Sequence, residues 1–250
     1  CLKRLAQLTQ QPSAVGVVWR LSCLPDGVGA PHPSFRQHQK EIEYMSQPSF
    51  TRLSELPEEL AIFPLPGALL FPRWQLPLNI FEPRYLNMID DVIQDTRMIG
   101  MIQSVGGSKA KPDVAHTGCA GRITAWSETG DGRYLITLTG IARFDVKEEL
   151  SVMTPYRQVE ADYGPYGSDL IADIGALDVN RDGLVDVLRR YLEANNMSAD
   201  WDAIEQSGNE ALVNSLSIIS PYGLKEKQAL LEAESLAERT EILIALTEMV

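Results

Sequence analysis

Residues 62–85 read IFPLPGALLFPRWQLPLNIFEPRY, and five of the chain's fifteen prolines fall inside them: Pro64, Pro66, Pro72, Pro77 and Pro83. Each fixes its own φ, removes an amide donor and pushes the preceding residue into extended geometry, which excludes a long helix through this stretch. Short strands joined by stiff corners are what remains. Pro66 and Gly67 fit the two central positions of a type II turn, where glycine supplies the positive φ. Residues 76–81 read as an apolar strand with Pro77 near its start, where a missing donor costs least. Pro83 then suits the first turn of a helix, with the Glu82 carboxylate facing the positive end of the helix dipole. Tyr85, Met88, Ile89, Val92 and Ile93 follow at helical spacing and predict one buried stripe.

The strand pattern continues downstream. Residues 97–105, RMIGMIQSV, predict a buried strand, and residues 107–117 a polar loop carrying Lys109, Lys111 and His116. Residues 118–127 predict another strand opening on Gly118, and Gly130-Asp131-Gly132 a turn between strands. Residues 133–139 alternate, Gly140 marks a bulge or corner, and residues 141–146 and 156–163 supply further strands. At least six short strands with glycine corners suit a small closed or nearly closed barrel. After the sequence GPYG at 164–167 the apolar period lengthens to about 3.6. Leu184, Val187, Leu188, Tyr191 and Leu192 make one helical face, Leu212, Leu216 and Ile219 another, and Leu231, Leu236, Leu243 and Val250 a third set. The expected class is α+β, with a β-barrel over 45–165 and a helical bundle over 166–250. Residues 1–44 lack sustained periodicity and crowd Pro25, Gly27, Gly29, Pro31 and Pro33 together, so they read as a leader, disordered or foreign to the native frame. Met45 is a plausible true start, and native peptides from upstream of it would reject that expectation.

Charge and composition narrow the function. With 22 Lys+Arg against 34 Asp+Glu, a net −12, the chain lacks the overall basic balance of a nucleic-acid binder. Three scattered cysteines, Cys1, Cys23 and Cys119, make no disulfide framework and point to a reducing, cytoplasmic setting. The apolar run at 14–19 is far too short for a membrane span. No HExxH pattern, no metal-spaced Cys/His cluster and no phosphate-cradling GxxxxGK[ST] occurs, so neither cofactor, metal nor catalytic residue is expected. Asp178, Asn180, Asp182 and Gly183 copy the opening of a calcium loop, but Arg189 stands where the closing carboxylate belongs. A helix start capped by Asp182 is the plainer reading.

The runs FPLPGALLFP and LPLNIFEPRY, the helix YLNMIDDVI, and the downstream segments GCAGRITAWS, DGRYLITLTGIARFDV and EKQALLEAESLAERTEIL together resemble the Lon substrate-binding domain. That domain is the N-terminal part of Lon ATP-dependent proteases and also occurs free-standing; the likeness covers residues 60–250. The resemblance implies a PUA-like barrel followed by helices, and the recognition end of a protease without its ATPase motor or its Ser/Lys proteolytic centre. A non-enzymatic module for unfolded or apolar polypeptide segments follows, acting in protein quality control or as an adaptor to a separate protease. Its expected contact set is Phe71, Arg73, Trp74, Leu76, Arg84 and Tyr85, in a groove between barrel and bundle, since Trp74 lies between prolines in a loop expected at the surface. Pro66, Gly67, Glu82, Pro83, Gly118 and Gly140 are expected to be structural. The alternative is a PUA-like RNA or small-ligand module, which the charge opposes where RNA is concerned.

Overall fold

The computed structural model describes residues 43–44, 50–108 and 111–249. Its strands are β1 (Glu43–Tyr44), β2 (Glu59–Pro64), β3 (Gln75–Ile80), β4 (Met98–Gly107), β5 (Pro112–Glu128), β6 (Tyr134–Glu149) and β7 (Gln158–Asp162), with α1 (Pro83–Gln94) between β3 and β4. They pair in the order β1-β5-β4-β2-β7-β6-β3, and a further β5–β6 pairing closes the middle five into a ring. β1 and β3 extend that barrel from outside. Every pairing is antiparallel except β2 with β4, where Ile62 lies opposite Gly100. The strand, proline corner, strand and helix expected from residues 62–85 are all present, with Pro83 in the first turn of α1 and Gly67 at φ 74° in its turn. Tyr85, Met88, Ile89 and Val92 enter the core formed with β3, β4 and β6, and Ile93 packs at its margin.

The corner expected at Gly140 is a bulge one residue along. Ala120 pairs with Ala142 and Gly121 with Gly140, which leaves Ile141 as the extra residue. Gly140 is needed for another reason: a Cβ there would lie 2.0 Å from the Phe71 carbonyl oxygen. Its amide donates to the Trp74 carbonyl at 2.9 Å and its own carbonyl accepts from Arg73 N at 2.8 Å. At Gly118 a Cβ would meet the Met101 carbonyl oxygen and the Phe144 ring, each at 2.7 Å.

Two expectations are corrected here. The polar loop at 107–117 is shorter, because β5 begins at Pro112 opposite Gly107 and two bulges carry the pairing to Ile102–Gly118. Five of the nine described residues from 107 to 117 are exposed, so the polar positions of a strand pass for a loop. Asp182 does not cap a helix; Asn180 does, its Oδ1 accepting from Gly183 N at 3.1 Å, with Asp182 inside the first turn. Among the described residues no group of three His, Cys, Asp or Glu could hold a metal, and no helix is long and apolar enough to cross a membrane. Glu43 and Tyr44, at the end of the segment read as a leader, pair with Trp126 and Ala125. Residues 1–42, Met45, Lys109 and Val250 lie outside the described residues.

Helices α2 (Arg181–Ala194), α3 (Trp201–Gln206), α4 (Asn209–Ile219), α5 (Leu224–Glu232) and α6 (Leu236–Glu248) enclose a second core around Leu184, Leu188, Val213, Leu230 and Leu243. A buried ion pair ties them to the barrel. Arg143 of β6 donates from Nε and Nη2 to the two oxygens of Asp169, both at 2.9 Å, and from Nη1 to the carbonyls of Leu231 and Ala233. Asp169 also accepts from the Arg143 amide at 2.9 Å, so the pair is fully hydrogen-bonded where water is excluded. Arg239 of α6 donates to Leu230 O and Asn214 Oδ1, each at 2.8 Å, and lies 4.3 Å over the Phe71 ring.

Candidate functional site

The six expected contact residues divide into two places. Phe71 is 0 % exposed beneath Leu69 and Leu231, and Leu76 is 1 % exposed inside the barrel core. Trp74 is half-buried against both clusters. Arg73, in the left-handed region at φ 64°, pairs with Glu210 and donates to the Asp169 carbonyl. The groove expected between barrel and bundle is therefore filled by the protein's own Leu231 and Arg239. Phe71 belongs to packing because the helices return over the proline-rich corner, and Leu76 because its strand turns it into the barrel core.

Arg84 and Tyr85 stand elsewhere, on a ridge between two open lobes of about 340 and 270 Å³. Both lobes share Pro64, Arg84, Tyr85 and Pro112, which makes them two halves of one groove. Proline at the first position of α1 fixes where the ridge begins, and Glu82 pairs with the Arg84 guanidinium at 2.9 Å. That guanidinium covers the Tyr85 ring at 4.6 Å, while Phe63 meets the same ring at 4.3 Å. Glu82 and Pro83 thus shape the ridge, as Pro66 and Gly67 shape the corner behind the smaller lobe.

The larger lobe is bounded by the β6–β7 connection. Arg157 grips both oxygens of Glu149 at 2.8 Å and donates to the Pro112 carbonyl at 2.6 Å. Tyr156 donates to Asp91 at 2.7 Å, which anchors the same connection to α1. Val152 (39 % exposed) opens into this lobe, and Phe81 (41 %) into the smaller one. Sequence reading missed both. The signal for Phe81 was its place between the end of an alternating strand and the helix-starting Glu-Pro; Val152 carried no local signal. Asn79 also lines the smaller lobe, and its Oδ1 is buried without a hydrogen-bond partner among the described residues.

The titratable groups of the groove are shifted by burial and by hydrogen bonds. The hydrogen bond from Arg157 holds Glu149 below the usual carboxylate range. Burial raises Tyr85, and burial with the hydrogen bond to Asp91 pushes Tyr156 up to about 12, so both phenols stay neutral at pH 7. Cys119 lies at the barrel centre, where burial raises its thiol far from the reactive range. The smaller lobe is walled mainly by apolar side chains, and the larger one by polar and apolar groups alike.

The family described as the ATP-dependent protease La (LON) substrate-binding domain matches residues 59–248. The chain belongs to the Lon substrate-binding domain family. It is 26 % identical over 208 residues to Lon protease 2 of Myxococcus xanthus, covering 81 % of this chain and 25 % of that protein. Over 194 residues it is 26 % identical to the Lon protease of Flavobacterium johnsoniae, covering 74 % of this chain and 23 % of that one. This chain thus spans about a quarter of the length of the curated relatives it matches. The fold is shared with a Lon N-terminal domain protein from Xanthomonas campestris, at TM-score 0.52 and 23 % identity, over 75 % of this chain and 97 % of that one. It is shared also with the N-terminal domain of a Mycobacterium avium complex Lon protease, at TM-score 0.56 and 16 % identity, over 76 % and 98 %. The part of Lon that this chain resembles is the substrate-binding domain.

Proposed function

We propose that this Lon substrate-binding domain recognises exposed apolar segments of polypeptides in the two-lobed groove astride Arg84 and Tyr85, and performs no reaction on them. The observation that carries the reading is the groove itself: its smaller lobe has mainly apolar walls with exposed Phe81, and its larger lobe sets Val152 and the neutral phenols of Tyr85 and Tyr156 among polar groups. Such a site takes side chains that folded proteins keep inside. A role in protein quality control, or as an adaptor presenting clients to a separate protease, follows naturally in a reducing cytoplasm. Affinity is modest, because an unfolded client loses conformational entropy when it is ordered.

Reduced, carboxymethylated α-lactalbumin, which cannot refold, is a suitable probe. Labelled with a fluorophore and titrated with the protein, it should show saturable anisotropy that survives added salt, since burial of apolar surface is not screened. Phe81→Glu and Val152→Glu place a charge in each lobe and should each weaken binding by about tenfold or more. Parent-like affinity in both variants would remove the groove from the proposal. Binding of single-stranded RNA that collapses with salt would instead favour a nucleic-acid module.

A further inference from the structure

Among the described residues β3 pairs on one side only. Its ladder with β6 runs from Gln75–Thr139 to Ile80–Tyr134, and no other described strand adjoins it. Two independent observations fix which of its backbone groups face outward. The Trp74 carbonyl accepts from Gly140 N in β6, so the following amide, that of Gln75, points away from β6. Pro77 has no amide to offer, and a proline within a sheet turns its nitrogen to a free edge. Gln75, Pro77 and Asn79 therefore present their backbone groups outward, while Leu76, Leu78 and Ile80 bond to β6 and bury their side chains. The open edge carries the amides of Gln75 and Asn79 and the carbonyls of Gln75, Pro77 and Asn79.

This edge runs directly into the smaller lobe. Leu78, Asn79, Ile80 and Phe81 form one wall of it, and Phe63 to Pro66 with the end of β4 form the other. The unpartnered Asn79 Oδ1 lies in the same wall. A row of strand donors and acceptors left unused among the described residues, beside an apolar cleft, matches one ligand geometry, an extended polypeptide with apolar side chains at alternate positions. From Gln75 to Phe81 the edge is about 20 Å long, enough for about six ligand residues.

We propose that a client polypeptide binds as an added strand on the free edge of β3. Its backbone hydrogen-bonds to Gln75, Pro77 and Asn79, and alternate apolar side chains enter the smaller lobe beside Phe81. The proposal rests on the reading of this groove as a polypeptide site and specifies how the chain is held. Backbone pairing makes the interaction tolerant of client sequence, with the lobe selecting only for apolar character. The missing amide of Pro77 interrupts the edge and so restrains unlimited strand addition between copies of the protein.

Residue-resolved amide exchange tests it, with reduced, carboxymethylated α-lactalbumin as probe and its binding followed separately by anisotropy. In the dilute protein alone the Gln75 and Asn79 amides should exchange rapidly, and those of Leu76, Leu78 and Ile80 slowly. At saturating probe the Asn79 and Gln75 amides should slow by at least tenfold. If the probe binds and these two amides are unaffected, the strand geometry is overturned while the polypeptide reading stands. If the probe does not bind, both fall. Slow exchange at Asn79 in dilute protein, or slowing that follows protein concentration without probe, would mean the edge is taken by this chain or by a second copy, and would overturn the proposal.

Discussion

Replacing Gly140 by alanine tests the packing of the barrel against its proline-rich corner. The new Cβ would sit 2.0 Å from the Phe71 carbonyl oxygen and 2.7 Å from its carbon, where ordinary contact begins near 3.4 Å. Both neighbours are backbone atoms, so no side chain can swing aside, and the corner must retreat by more than about an ångström, given how little a packed interior yields. Retreat breaks the bonds from Gly140 N to Trp74 O and from Arg73 N to Gly140 O. Overpacking costs about 1–3 kcal/mol and each lost bond about 0.5–1.5 kcal/mol, which gives about 2–6 kcal/mol in all. That is a large share of the stability of an ordinary domain. Urea unfolding followed by tryptophan fluorescence reads it directly, with Trp74 beside the lesion. Gly130→Ala is the matched control: its Cβ meets nothing within 4 Å and its φ is not left-handed, so a change under about 0.5 kcal/mol is expected. A Gly140→Ala protein within 0.5 kcal/mol of the parent would refute the close-approach argument, on the scale of an ordinary surface substitution.

Three further outcomes follow from the same geometry. Arg143→Met leaves Asp169 buried without its guanidinium and should cost about 3–5 kcal/mol in urea unfolding, whereas adding Asp169→Leu should recover much of that loss. Asn79→Leu removes the unsatisfied acceptor, so the free protein should gain about 1 kcal/mol by thermal or urea unfolding. The lowered Glu149 carboxyl gives a stabilisation that is present above its unfolded value and is lost as pH falls through its folded value. Because this pair is partly exposed the effect stays below about 1 kcal/mol, and it should appear as faster proteolysis at residues 150–155 on acidification, a dependence that Glu149→Gln abolishes.

Local pattern carried much of the architecture. Proline spacing fixed the β3–α1 unit because proline acts on its own residue and the one before it, and the stripe from Tyr85 to Val92 is a short-range periodicity. Glycine marked the bulge beside Ile141 for the same local reason. The contact surface was not legible in this way. Whether Phe71 faces solvent depends on Leu231, which arrives about 160 residues later, and Arg73 finds Glu210 at a separation of 137. Arg84 and Tyr85 could be placed because a proline-started helix sets them, whereas Val152 lines a lobe only through the long-range hold of Arg157 on Pro112. Asn180 displaced Asp182 as the cap of α2, since both residues are suited to the role and only the backbone decides.

The pairing of β2 with β7, Leu60 opposite Val159, has a consequence during synthesis. About 100 residues separate the partners, so at the ribosome's pace of about 5–20 residues per second the nascent ring stays open for about 5–20 seconds. Through that interval β2 can pair with β4 on one side, while its other edge waits for β7. Until then the emerging domain itself exposes strand surface that the finished ring keeps inside.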